Sequence, residues 1–185
     1  MISNEILENI KNRRSIRSFK AEQIKDEELE AILEASIYAA TGHNDQPWHF
    51  TVIQNAEFID YMSNKTKEEM KKSNISWIAK MGQSDRHIFY NTPTLIVVSG
   101  RQDSYSPLTD CSAAIQNMLL AAESLNIGSV WIGLIDFFFA LEEEVKKLKL
   151  PQGYKPYYGV CLGYKASSKV PTAPERNKEV ISYIK

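Results

Sequence analysis

A chain of 185 residues is long enough for one domain with a substantial buried core, and 43% apolar and 24% charged residues fit an ordinary globule. A net charge of −1 excludes the broad cationic field of a nucleic-acid binder, and no apolar run approaches the roughly 20 residues of a membrane span. With no signal-peptide pattern, no Cys-x-x-Cys and no ligand-like spacing among three histidines and two cysteines, the chain is expected to be cytoplasmic and without a metal, Cys111 and Cys161 being buried thiols.

Residues 3–12 read as a first helix: Ser3 can cap it, Glu5 suits its positive end, and Ile6, Leu7 and Ile10 share a face. The run Arg13-Arg14-Ser15-Ile16-Arg17-Ser18-Phe19 reads as extended. Alternation would place Arg13, Ser15 and Arg17 on one side, a donor set that suits a phosphate and a polar ring edge. A solvated basic surface run is the plainer alternative. Asp26 caps a second helix, in which Leu29, Ile32, Leu33, Ser36, Ile37 and Ala40 follow the 3.6 period and mark a buried face.

That helix leads into residues 39–52. Gly42 can end a helix, Asn44-Asp45-Gln46 offers turn-forming amide and carboxylate groups, and Pro47 fixes the exit angle. Trp48-His49-Phe50-Thr51-Val52 reads as a strand. The amide cluster is either a solvated turn or a rigid set of donors and acceptors for a flat polar ligand. Residues 57–63 and 67–78 look helical, and Trp77 and Met81 there either line a pocket or fill core, core being the plainer reading. Residues 94–99 form a fully buried strand. Residues 109–125 form a central helix, apolar around most of its circumference and ended by Gly128. A strand over 129–133, a helix over 137–148, a strand over 156–164 and a short last strand over 180–184 complete the chain. Alternating strands and helices favour an α+β or α/β layer fold, and neither a Walker-type nor a Gly-x-Gly-x-x-Gly loop is present.

Four stretches in order resemble the nitroreductase family of flavin enzymes. They are residues 13–19, then Asn44-Asp45-Gln46-Pro47-Trp48-His49-Phe50, then residues 110–122 running into Leu125-Asn126-Ile127-Gly128-Ser129-Val130-Trp131-Ile132-Gly133, and last Gly159-Val160-Cys161-Leu162-Gly163-Tyr164. The resemblance spans nearly the whole chain. It implies an α+β fold with a mostly antiparallel sheet wrapped by helices. It also implies an intertwined homodimer with two FMN sites at the interface, one domain over residues 1–185, and residues 165–185 as an arm across the partner subunit. The helix over 109–125 would lie at the dimer interface.

Carried over by position, Arg13 would bind the FMN phosphate with Arg14 and Ser15 beside it. Arg17 would reach the pyrimidine edge, where a fixed cation stabilises negative charge on the reduced ring. Thr41, Gly42, Asn44 and Gln46 would approach from the partner. Trp131, Ile132, Gly133 and Leu134 would pass along the ring face, with the Gly133 N–H aimed at N5. Arg176 would be a second phosphate ligand. Gly42 stands where the family often has serine, and Leu134 where it often has a second glycine. The implied activity is ping-pong transfer of hydride from NADH or NADPH to a nitroaromatic, a quinone or a similar electron-poor acceptor. No side chain need act as a catalytic acid or base, and His43, His49 and His87 read as solvated or core residues. Dehalogenation or flavin fragmentation on the same fold, and a flavin-binding protein with little turnover, are the alternatives.

Overall fold

The structure is a computed structural model that describes residues 2–169 and 171–185. Its centre is a four-stranded sheet in the order β1-β2-β4-β3, formed by β1 (Trp48–Ile53), β2 (Thr94–Arg101), β3 (Ile127–Ile132) and β4 (Tyr154–Tyr164). Every pairing is antiparallel. The sheet is covered on both faces, which is why β2 is buried along nearly its whole length and reads as a continuous apolar run. Leu95 and Val97 point into one core with Val130, Ile132 and Cys161, while Ile96 and Val98 point into the other with Val160 and Leu162. This period-2 division is what a strand imposes on successive side chains.

Helices α3 (Ala56–Met70), α4 (Ser76–Gln83) and α6 (Asp136–Phe139) cover the first face. Helices α2 (Asp26–Ile37) and α5 (Pro107–Ser124) cover the second, and α1 (Glu5–Asn12) leans on α5. The short helix α7 (Glu142–Val145) precedes a 3-10 turn over Lys146–Leu148. The α+β class and the antiparallel sheet stand as expected. Among the described residues no helix is long and apolar enough to cross a membrane.

Several element boundaries differ from the sequence reading, each for a local reason. Asn4, not Ser3, caps α1, its side chain accepting the Leu7 N–H at 2.9 Å. Ile6, on the face it shares with Leu7 and Ile10, is 71% exposed, because α1 sits on the outside of the chain and buries no residue of its own. Lys25 occupies the cap position of α2, where the Glu28 carboxylate accepts its backbone N–H at 2.9 Å. Ile37 and Ala40 are exposed, not buried. The helices expected over 57–63 and 67–78 are instead one long helix and a separate α4, and Trp77 is 57% exposed on α4 instead of filling core.

Asn126, with φ of 58°, makes the left-handed turn after α5 expected at Gly128, which lies inside β3. The helix expected over 137–148 breaks at Leu141, whose backbone is extended. Residues 180–184 form no strand and are exposed.

Gly128 has a packing role. A Cβ there would lie 2.9 Å from Ile16 Cγ2 and 3.1 Å from the Gly163 carbonyl oxygen, so its absence is what lets residues 13–19 lie against the sheet. Gly128→Ala is expected to cost about 1–3 kcal/mol through overpacking. Urea unfolding, with far-UV circular dichroism to show that the sheet persists, measures it.

Candidate active site

Residues 13–19 leave α1 extended and attach to the free edge of β3. The Ile16 N–H donates to the Ser129 carbonyl at 2.9 Å, Ser15 bridges Ser129 in parallel, and Phe19 bridges Lys165. The buried Ile16 pins the middle of the segment, leaving polar neighbours on either side at the surface. There Arg13, Arg14, Ser15 and Arg17 line a cleft of about 290 Å³ whose other wall is Pro171, Thr172, Pro174 and Arg176. Four guanidinium groups and two hydroxyls face one space with no carboxylate among them.

The Arg13 guanidinium is pressed below its ordinary value, first by burial and then by Arg14 and Arg176, with Glu123 pulling the other way. Arg14 Nη1 donates to the carbonyls of Lys11 at 2.6 Å and Arg13 at 2.8 Å, while its Nε is buried without a partner. Arg17 Nη1 reaches the Ser15 carbonyl at 3.3 Å, and its Cζ lies 5.9 Å from the centre of the Tyr90 ring. An orphaned donor within a group of like charges suits an anion, and the fork geometry of arginine matches phosphate oxygens.

The second set of expected residues lies elsewhere. Thr41, Gly42, Asn44 and Gln46 belong to a loop with a 3-10 turn over Gly42–Asn44. The left-handed residues here are His43, Asn44 and Gln46, at φ of 51°, 59° and 45°, and not Gly42. Such a run of non-glycine residues stores strain that its surroundings must hold. Asp110, 3% exposed in the first turn of α5, holds it. Its Oδ2 accepts from Thr41 Oγ1 at 2.7 Å and from the Gly42 N–H at 3.2 Å, and its Oδ1 accepts from Ser106 Oγ at 2.8 Å. Thr41 Oγ1 in turn accepts the Gln46 N–H, and Gln46 Nε2 donates to Asn44 Oδ1 at 2.9 Å. The Thr41 hydroxyl is thus engaged on both sides within the chain. Sequence reasoning missed Asp110; it stood inside a quoted motif, but nothing local distinguishes a buried anchor from an ordinary first-turn acid.

Residues 131–134 leave the end of β3. Ile132 is buried, Trp131 sets its ring edge-on to Tyr158 at 5.0 Å, and Leu134 packs on the first core. Gly133 is exposed, and a Cβ on it would meet open space. This segment and residues 13–17 share the β3 edge of the sheet, whereas the 41–46 loop feeds β1 at the opposite edge, where the Pro47 carbonyl accepts the Arg101 N–H. Three strand spacings, about 14 Å, separate β1 from β3. One chain does not bring the two sets together.

Neither cysteine is poised for chemistry. Both are fully buried, and burial pushes both thiols up, Cys111 to about 12 with help from Asp110. His87 is structural. Its Nδ1 accepts the N–H groups of Phe89 at 3.1 Å and Asn91 at 3.3 Å, which places its proton on Nε2, facing Asp60 Oδ1 at 3.1 Å. Burial holds its pKa below the ordinary 6.5, against the pull of Asp60.

The Nitroreductase family profile matches residues 10–164. A relative from Archaeoglobus fulgidus, provisionally named NADH dehydrogenase/NAD(P)H nitroreductase, is 34% identical over 173 residues, 89% of this chain and 88% of its own. A crystal structure of a nitroreductase with bound FMN from Bacteroides fragilis superposes with a TM-score of 0.88 at 33% identity, covering 99% of this chain and 100% of that one. An iodotyrosine deiodinase bound to FMN and 3-iodo-L-tyrosine, 23% identical, shares the fold with a TM-score of 0.79 over 97% of this chain and 99% of its own. This chain belongs to the nitroreductase family.

Asp110→Ala is expected to leave the Thr41, Gly42 and Ser106 donors unpaired and to cost about 2 kcal/mol or more in a denaturant titration. Below about pH 6.5 the unfolded chain takes up a proton at residue 87 that the folded chain resists, so stability is full above that pH and falls as pH drops. Urea midpoints from pH 8 to pH 5 should therefore fall more steeply for the parent than for His87→Gln.

Proposed function

We propose that two copies of this chain share each of two FMN sites, and that the assembly passes electrons from NADH or NADPH to an electron-poor acceptor such as a nitroaromatic or a quinone. The observation that carries the reading is the four-guanidinium cleft with its orphaned Arg14 Nε, set beside the exposed Gly133 on the β3 edge. The chain is an FMN-dependent oxidoreductase of its family, and the donor set fits a flavin nucleotide. Arg13, Arg14, Ser15 and Arg176 hold the phosphate. Arg17 sets a fixed positive charge at the pyrimidine edge, the place where reduction adds negative charge. Trp131, Ile132, Gly133 and Leu134 border the ring, with the Gly133 N–H directed at N5. Thr41, Gly42, Asn44 and Gln46 of the second copy close the site.

When bound, the flavin supplies the hydride chemistry, so the protein needs no acid–base pair of its own. The buried thiols and the turn-forming His87 agree with that division of labour.

The homodimer is supported by apolar surface that one chain leaves in water. Ile6, Ile10, Ile37 and Tyr38 are exposed around α1 and the end of α2, and Ile6 and Ile10 line a groove against Leu120 of α5. The tail exposes Val180, Ile181, Tyr183 and Ile184, which suits residues 165–185 to an arm laid on a partner. A cytoplasmic location completes the reading.

Arg13→Ala is expected to weaken FMN binding about 10- to 100-fold, the worth of one charge-assisted contact, in a fluorescence titration of the apoprotein. Unchanged affinity removes the phosphate assignment. Sharing of the site has its own test. Arg17→Ala and Asn44→Ala homodimers should each be impaired in NAD(P)H oxidation, and mixing the unfolded chains and refolding them together should restore activity through dimers with one intact site. Steady turnover with a nitro or quinone acceptor separates this reading from dehalogenation, flavin fragmentation and simple flavin carriage.

A further inference from the structure

On the first face of the sheet, away from the apolar surface of α1 and α5, helix α4 carries a second candidate site. Trp77, Lys80 and Met81 share one side of α4 at i, i+3 and i+4 spacing, and with Ser84 and Arg86 they line an open hollow of about 450 Å³. The size is that of a small-ligand pocket. The indole is 57% exposed, an unusual state for the side chain with the most apolar area to bury. Among the described residues neither Lys80 nor Arg86 forms an ion pair, although most other charged clusters on this face do, such as Lys65 with Glu68 and Lys147 with Glu144. Ser84 holds the turn between the two cations, its Oγ donating to the Met81 carbonyl at 2.7 Å and accepting the Arg86 N–H at 3.4 Å.

A flat aromatic platform with two free cations beside it recognises a planar base carrying a phosphate. The place of the hollow narrows the choice. Arg86 is four residues from Tyr90, a distance of at most about 14 Å along the chain, and the Tyr90 ring lies under the Arg17 guanidinium. On the reading above, Arg17 marks the flavin. The hollow therefore lies within the span of a dinucleotide whose nicotinamide end meets the flavin.

We propose that Trp77 stacks the adenine of NADPH and that Lys80 and Arg86 bind its 2′-phosphate, making this chain selective for NADPH over NADH. The inference rests on the flavin reading for its geometry, but its binding half can be read without any flavin.

The test has two arms. In the first, 2′,5′-ADP is titrated into the protein and tryptophan fluorescence is followed, with 5′-AMP as the control. Saturable quenching by 2′,5′-ADP, much weaker with 5′-AMP and absent in Trp77→Phe, is expected. No quenching, or equal quenching by both nucleotides, overturns the proposal. In the second arm, Lys80→Gln/Arg86→Gln is expected to raise the KM for NADPH about tenfold or more while leaving the KM for NADH and both kcat values unchanged. Equal changes for the two donors, or a parent enzyme that prefers NADH, overturn it. Specific quenching in a protein that oxidises neither nicotinamide supports the nucleotide site and refutes the flavin reading. Brisk turnover without quenching or preference does the reverse.

Discussion

One short attachment fixes the candidate site: Ile16 gives its backbone N–H to Ser129 and seats its side chain in the space that Gly128 leaves open. Arg13, Arg14 and Arg17 are positioned by it. With the middle of the segment pinned to β3, Arg13, Arg14 and Arg17 project on one side of the sheet edge, next to the strand end that carries Gly133. Like charges held this close repel, and the lowered Arg13 pKa records the burial and crowding. The attachment supplies the compensation through apolar burial and a ladder-type hydrogen bond, so the cleft is preorganised before any anion arrives.

The opposite edge is built by the inverse device. There a buried carboxylate, Asp110, gathers three donors and holds a loop in which His43, Asn44 and Gln46 all adopt left-handed backbone. A buried charge is costly unless its lone pairs are satisfied, and satisfied ones rigidify what they touch. On the proposed reading, the cations fixed at one edge and the strained, carboxylate-locked loop at the other are two halves of a site. The antiparallel order β1-β2-β4-β3 keeps them apart within a chain. That separation is the physical reason for reading the functional unit as two copies.

Much of this was legible from residues alone, because some patterns have only one physical solution. The apolar run of β2 demands burial on both faces, and α5, apolar around most of its surface, demands a central place; both are found. The basic run at residues 13–19 was correctly read as extended because polar Ser15 and Arg17 flank apolar Ile16, and the buried Ile16 between more exposed neighbours shows that alternation of faces. Other positions were misread where local preference is nearly degenerate. Asn126 and Gly128 both tolerate left-handed backbone, and only the packing of Ile16 shows that Gly128 is needed for its missing side chain. The amphipathic pattern of α1 was real, yet its apolar face points outward, since periodicity reports that a face exists and not what covers it.

By itself, then, the sequence determined a layered fold of strands and helices and the identity of the cationic residues, because periodicity, turn chemistry and charge are properties of neighbours along the chain, while the antiparallel class of the sheet entered only through the family resemblance. Only the tertiary structure decided that Arg176 faces Arg13 across one cleft, that Asp110 anchors the loop over 41–46, and that Trp77 stands exposed beside Lys80 and Arg86, neither of which is ion-paired among the described residues. The first two join residues 68 to 163 positions apart, and the third lies within one short stretch of chain, where the residues alone left pocket lining and core both open for the indole. Contacts over such separations are set by how helices close on a sheet, and no local propensity encodes them.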